Sequence, residues 1–219
     1  IELIPDYPVI SATVQQIATS CTPTFFNGEI MATASSTTEP VNGYKFEFYK
    51  GPNLLTSNRL DSISNQNGAT GLAVDSLEGN ITYRIAVTNE TTTCKSTLDQ
   101  FLSNTEAKPG VNLGNLVITN NTNCVAPGNG SVDASAAAST AAPGVEPLTG
   151  YTYHWYDGAG NSLAETGPVL SGLIEGDYQL SVTNNDTKCT SPMVVVTVGN
   201  SSVSPVTNIT IDQEQTACV

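Results

Sequence analysis

Basic residues are scarce: seven Lys plus Arg stand against twenty Asp plus Glu, for a formal net charge of −13. A surface that acidic repels phosphate backbones and anionic lipid, which excludes nucleic-acid binding. Only one histidine occurs, His154, and no motif places a Cys or Ser beside it, so no nucleophile–base pair is predicted. Metal sites need three or four convergent donors. The cysteines lack C-x-x-C spacing, and Asp157, Glu165, Glu175 and Asp177 lack the Asp-x-Asp-x-Asp-Gly spacing of a calcium loop. No enzyme activity, metal or cofactor is expected. No apolar run approaches the roughly 20 residues that span a bilayer, so no membrane insertion is expected either. The first residues lack the basic and apolar regions of a signal peptide, and both ends read as cut from a longer chain. No segment carries apolar residues at helical spacing over three turns, which leaves an all-β chain rich in Thr, Ser, Asn, Gly and Val.

What is present is alternation. Gly43-Tyr-Lys-Phe-Glu-Phe-Tyr-Lys-Gly51 and Gly150-Tyr-Thr-Tyr-His-Trp-Tyr-Asp-Gly158 each hold aromatics at every second position. Period two places one set of side chains on one face of a strand. Tyr44, Phe46 and Phe48, and Tyr151, Tyr153 and Trp155, are therefore predicted core residues. Lys45, Glu47 and Tyr49, and Thr152, His154 and Tyr156, are predicted to meet solvent. Later in each half, Ile81-Thr-Tyr83-Arg-Ile85-Ala-Val87 and Tyr178-Gln-Leu180-Ser-Val182 alternate again, which adds Tyr83 and Tyr178 to the core. The stretch 50–71 lacks periodicity and reads as a long loop with one ragged strand.

The two halves repeat one order of elements, and a third copy begins at the end. First-cysteine positions 21, 124 and 218 set a repeat of about 95–105 residues. The expected organisation is a linker over 1–8, one repeat over 9–110, a second over 111–205 and the start of a third over 206–219. Short linkers with Pro109 and Pro205 predict β-sandwiches arranged end to end.

Cysteine usage fits this scheme. Each full copy holds two, Cys21 with Cys94 and Cys124 with Cys189, and Cys218 is left unpaired. An even number per copy without metal spacing implies disulfides and an oxidising location. Six strands per copy would bring the two cysteines to one end and allow intradomain bonds, the preferred reading. Seven would put them at opposite ends and direct Cys21 to Cys189.

Cys124, Gly130, Val132, Tyr151, Tyr153, Trp155, Gly176, Tyr178, Leu180, Val182, Asn184 and Cys189 together resemble the SprB-type repeat of large Bacteroidota surface adhesins. The first copy departs, with Phe48 in place of Trp and extra length over 50–76. The resemblance implies immunoglobulin-like domains exported by the type IX system, with a role in gliding motility, and no catalytic activity. It implies an extracellular, cell-surface location and neighbouring repeats as partners, with surface polysaccharide or other cell-surface proteins beyond them. Asp61-Ser62-Ile63 and Asp75-Ser76-Leu77 resemble Bacteroidota O-glycosylation acceptors at Ser62 and Ser76. The expected function is an adhesive stalk repeat. The alternative is a carbohydrate-binding or spacer module of a secreted enzyme, with Tyr49 and Tyr156 as candidate sugar-stacking rings.

Overall fold

The computed structural model describes residues 7–36, 43–140, 146–210 and 212. In the first copy seven strands follow in order: β1 (Val9–Gln16), β2 (Gly28–Ser35), β3 (Tyr44–Lys50), β4 (Arg59–Gln66), β5 (Leu72–Leu77), β6 (Ile81–Asn89) and β7 (Lys95–Leu102). They form two sheets, ordered β1-β2-β5 and β4-β3-β6-β7, with antiparallel pairing throughout. Alternation builds the inner faces. Ile30, Ala32 and Ala34 of β2, Tyr44, Phe46 and Phe48 of β3, and Tyr83, Ile85 and Val87 of β6 close one core with Val74, Leu77 and Leu102. Two inner faces meeting in one core define a β-sandwich, and each large side chain buried there contributes about 1.5–3 kcal/mol.

The strand order is that of an immunoglobulin-type Greek key, with β1, β2 and β5 opposite β4, β3, β6 and β7. Tyr83, near the start of β6, donates its hydroxyl to the Glu78 carbonyl at 2.8 Å. That bond closes a tyrosine corner over the β5–β6 turn. Burial pushes the Tyr83 phenol up to about 12. Gly43 leads into β3 at φ +92°, and Gly150 leads into the matching strand of the second copy at φ +84°. A side chain is strained in that left-handed region, which explains the glycine ahead of each strand.

The stretch 50–71, expected as a long loop with one ragged strand, does carry one strand, β4, whose pairing with β3 shifts register twice. It also holds a 3-10 turn (Thr56–Asn58), and β5 begins directly after it at Leu72. β4 is an edge strand facing mostly solvent, so no apolar alternation marks it. Glu47 and Tyr49, expected in solvent, are only 6% and 4% exposed. β3 is an interior strand, and long side chains from its neighbours cover its outer face. Glu47 Oε1 meets Lys45 Nζ at 3.1 Å and Arg59 of β4 at 3.3 Å, and Oε2 meets Lys95 of β7 at 3.2 Å. Burial pushes the Glu47 carboxyl up, but hydrogen bonds and charge from Lys45 and Lys95 outweigh it and hold it below the usual value.

After β8 (Pro109–Val111), which spans the boundary between the repeats, the second copy runs through β9 (Val117–Thr119), β10 (Gly130–Asp133), β11 (Ala138–Thr140), β12 (Tyr151–Tyr156), β13 (Val169–Leu173), β14 (Gly176–Asn184) and β15 (Val194–Val198). Its sheets, β13-β10-β9 and β12-β14-β15, repeat the order of the first copy, and β8 pairs separately with β11. Trp155 is fully buried, and its indole N–H donates to the Gly167 carbonyl at 2.9 Å. Tyr178 repeats the tyrosine corner, donating to the Ile174 carbonyl at 3.3 Å. In place of a β4 counterpart, residues 157–168 run back beside β12. They are joined by Leu163 N–H to Trp155 O, by Tyr153 N–H to Thr166 O and by a Tyr156–Ser162 bridge.

Tyr151 and Tyr178, expected in the core, are half-buried. Tyr151 lies at a strand end and donates its hydroxyl to Glu146 at 2.7 Å, while the corner bond holds the Tyr178 hydroxyl at the surface. By spatial grouping the chain divides into two compact units. One is Ile1–Gly110 with Ser139–Thr152 and Val182–Pro192; the other is Val111–Ala138 with Tyr153–Ser181 and Met193–Val219. The linker expected around Pro109 is packed just ahead of that proline: Ala107 is buried and donates its N–H to Thr19 O at 3.0 Å. Most of the third-copy stub, including Cys218, lies outside the described residues.

Candidate functional site: the cysteine turns

Each copy carries two polar turns, and each turn holds a cysteine. The later turn starts from the end of the sixth-position strand, at Asn89 or Asn184. Asn89 Oδ1 accepts from Thr91 N at 2.9 Å and Thr92 N at 3.2 Å. Asn184 Oδ1 accepts from Asp186 N at 2.9 Å and Thr187 N at 3.1 Å. Asn89 N donates to Cys94 O and Asn184 N to Cys189 O, both at 2.9 Å. Thr93 and Lys188 take left-handed φ values of 61° and 56°. One short asparagine side chain thus satisfies two turn N–H groups and fixes the cysteine that follows, the ordinary chemistry of an Asx turn.

The earlier turn is equally matched. Thr19 N donates to Asn27 Oδ1 at 2.9 Å, and Asn27 Nδ2 returns a bond to Thr19 Oγ1 at 2.7 Å. Thr122 and Asn129 do the same at 2.8 and 2.7 Å. Parallel bridges Ala18–Asn104 and Asn121–Asn200 tie each earlier turn to the segment after the last strand of its copy.

Those bridges decide the disulfide. Cys21 lies beside the residues after the C-terminal end of β7, whereas Cys94 precedes its N-terminal end. The eight residues of β7 span about 26 Å, and a disulfide needs Cα atoms within about 7 Å. The expected Cys21–Cys94 and Cys124–Cys189 pairs are therefore replaced. Cys21 is bonded to Cys189, with 4.9 Å between Cα atoms, and Cys94 and Cys124 are free. Seven passes of the chain produce this, with 157–168 supplying the missing pass in the second copy.

Both bonded cysteines belong to the first compact unit, where the turn 184–189 is seated on 19–21 and 107. Cys21 N donates to Thr187 O at 3.1 Å, Thr187 Oγ1 donates to Ala107 O at 3.3 Å, and Lys188 Nζ stands 4.6 Å from the Phe25 ring centre. Beside the bond opens a cleft of about 440 Å³ lined by Ser20, Cys21, Phe26, Asn27, Glu78 and Asn104 among others. Its polar groups are largely engaged: Asn104 Nδ2 donates to Ser20 O at 3.1 Å, and Glu78 pairs with Lys50.

The other weighed residues have structural partners. Asp157 Oδ1 accepts from Ala159 N and Asn161 N at 3.0 and 2.8 Å. Glu165 Oε1 accepts from Gly167 N at 2.7 Å, Glu175 Oε2 from Asn121 Nδ2 at 3.0 Å, and Asp177 Oδ1 from Thr197 Oγ1 at 2.6 Å. Among the described residues no three His, Cys, Asp or Glu side chains converge as a metal site. His154 and Tyr156 are half-buried on β12. Ser62 and Ser76 are exposed on β4 and β5, both edge strands and not a loop. Sequence reasoning overlooked the pairing between Thr19 and Asn27. Its signal was the recurrence of Thr-x-Cys followed by Asn-Gly in both copies.

No family model matches the chain, and no curated protein matches it. Among solved structures it is similar to murine CEACAM1b, at 14% identity over 87% of this chain and 100% of that one, with a TM-score of 0.29. A two-domain fibronectin type-III segment of chicken tenascin matches at 11% identity over 89% and 98%, with a TM-score of 0.32. A C-terminal 282-residue fragment of intimin, in complex with the intimin-binding domain of the translocated intimin receptor, matches at 14% identity over 89% and 65%, with a TM-score of 0.32. The immunoglobulin-like assignment rests on strand order, shared core and the two tyrosine corners.

Proposed function

We propose that the chain is part of a non-catalytic, tension-carrying stalk of a secreted cell-surface adhesin, holding a distal binding region away from the cell. The observation that carries this reading is the bond from Cys21 of one sequence copy to Cys189 of the next. A covalent link between successive copies serves a chain under pull. A disulfide also fits an oxidising, extracellular location, and a net charge of −13 keeps a polymer of such repeats soluble and resists fold-back. Export by the type IX system, a part in gliding, and O-glycosylation at exposed Ser62 and Ser76 enter this proposal through the family resemblance. Its partners are neighbouring repeats and, at the distal end, surface polysaccharide or protein.

In this reading the sandwiches stand end to end. Small-angle scattering on the chain tests it. A compact globule of this length has a radius of gyration of about 17 Å, and two sandwiches in line are expected near about 25 Å. A value at the compact figure removes the stalk reading.

A further inference from the structure

The same two cysteine turns occur in this chain once engaged and once open. In the first unit the engaged turn is fully covered: Thr187 is 1% and Cys189 0% exposed. Its receiving face is covered too, with Thr19, Ser20 and Ala107 all buried. The counterpart turn 89–94 reproduces the internal bonds of 184–189, down to the 3.4 Å approach of Cys94 N to Thr92 Oγ1 that matches Cys189 N to Thr187 Oγ1. Yet Thr92 and Cys94 are half-exposed and Cys94 is a free thiol. The receiving face has its own counterpart in the second unit. Thr122 and Asn123 match Thr19 and Ser20, Val203 matches Ala107, and Cys124 matches Cys21. All four are exposed, Val203 at 85%, although the Thr122–Asn129 pair and the Asn121–Asn200 bridge repeat the bonds that frame the engaged twin.

We propose that the turn 89–94 is a plug and the face of Thr122, Cys124 and Val203 a socket, each taking its complement from another copy of this repeat and closing with a Cys94–Cys124 disulfide. The contact is head-to-tail, so one copy's plug fills the preceding copy's socket, as the second copy's turn 184–189 fills the face at Cys21 of the first. Cys21–Cys189 is the same contact already made. This pairing holds or fails independently of where the protein resides and of any stalk role.

The chemistry is thiol–disulfide exchange with a low-molecular-weight disulfide as oxidant. The thiolate of one cysteine attacks that disulfide and releases one small thiol, leaving a mixed disulfide. The second cysteine, deprotonated, attacks the protein sulfur of the mixed disulfide and releases the other small thiol. Two protein thiols become one disulfide, and the oxidant is reduced to two thiols.

The test uses the full chain with Cys218→Ser, so that only the two thiols in question remain. A Cys94→Ser variant and a Cys124→Ser variant are incubated singly and mixed in oxidised and reduced glutathione, then separated without reduction. The mixture is expected to give a Cys94–Cys124 heterodimer in about tenfold excess over either homodimer, the bias that roughly 1.4 kcal/mol of docking preference produces. Val203→Asp in the socket-bearing partner is expected to cut that heterodimer by about tenfold, because a charge then lies where Ala107 is buried in the engaged twin. Homodimers in comparable yield, glutathione caps without cross-links, or a heterodimer indifferent to Val203→Asp would each overturn the proposal.

Discussion

Cys21 and Cys189 stand 168 residues apart in sequence and 4.9 Å apart at Cα. Closing a loop of that length removes denatured-state entropy equivalent to about 5 kcal/mol in the chain-entropy model, and somewhat less is usually realised. Replacing both by serine is expected to destabilise the protein by about 3–5 kcal/mol in denaturant melts. Peptide mapping of unreduced protein should return the Cys21–Cys189 link, and a Cys21–Cys94 peptide would contradict the strand count.

Trp155 is the largest fully buried side chain, with its N–H on the Gly167 carbonyl. Trp155→Ala is expected to cost about 3–5 kcal/mol. Trp155→Phe should recover most of the packing but leave that carbonyl unpaired, a residual loss of about 1 kcal/mol. Equal losses for the two variants would show that the indole hydrogen bond, and not the core, dominates.

The Tyr83 phenol is raised from its ordinary 10.0 to about 12 by burial. A group raised on folding contributes stability that is complete below its unfolded value and is lost as pH climbs through the folded one. Stability should therefore fall between about pH 10 and about pH 12. Tyr83→Phe is expected to lose about 1 kcal/mol at neutral pH from the corner bond, and to lack this share of the alkaline decline. Melts on both proteins at about pH 8 and about pH 11 measure it.

Glu47 behaves with the opposite sign. Its carboxyl is held below the ordinary 4.5 despite burial, so its contribution is present above that value and disappears as pH falls below it. Glu47→Gln is expected to cost about 1.5–3 kcal/mol at neutral pH, the range for hydrogen bonds to charged groups. The gap from the unsubstituted protein should close in acid. A gap that widens in acid would mean the three cations do not stabilise the carboxylate.

The aromatic strands were legible because Phe46, Phe48, Tyr153 and Trp155 sit where period two puts them, and a core strand has little freedom to do otherwise. Glu47 and Tyr49 were not, because burial on the outer face of β3 comes from Arg59 and Lys95, which only tertiary pairing brings there. The disulfide turned on one polar edge strand. β4 shows in the sequence only as one ragged strand with no apolar alternation to secure its place in the count, and a count without it reverses the end at which each cysteine emerges. The twin turns lay open in the sequence as Asn-x-x-Thr-x-Cys, but which of them is occupied depends on neighbours no single copy contains.

The Cys21–Cys189 bond also changes what a pull on the chain can do. Force entering before Cys21 and leaving after Cys189 crosses a single sulfur–sulfur bond, and everything between hangs on it as a slack lasso. Of the described strands only β1, which precedes Cys21, and β15, which follows Cys189, can be peeled. The enclosed 168-residue interval would extend by about 570 Å if released, at about 3.4 Å per residue. Single-molecule stretching should find that length missing until a reductant is added. The bond therefore acts as a strain limiter: both sandwiches keep their inner strands folded at forces that would otherwise unravel them.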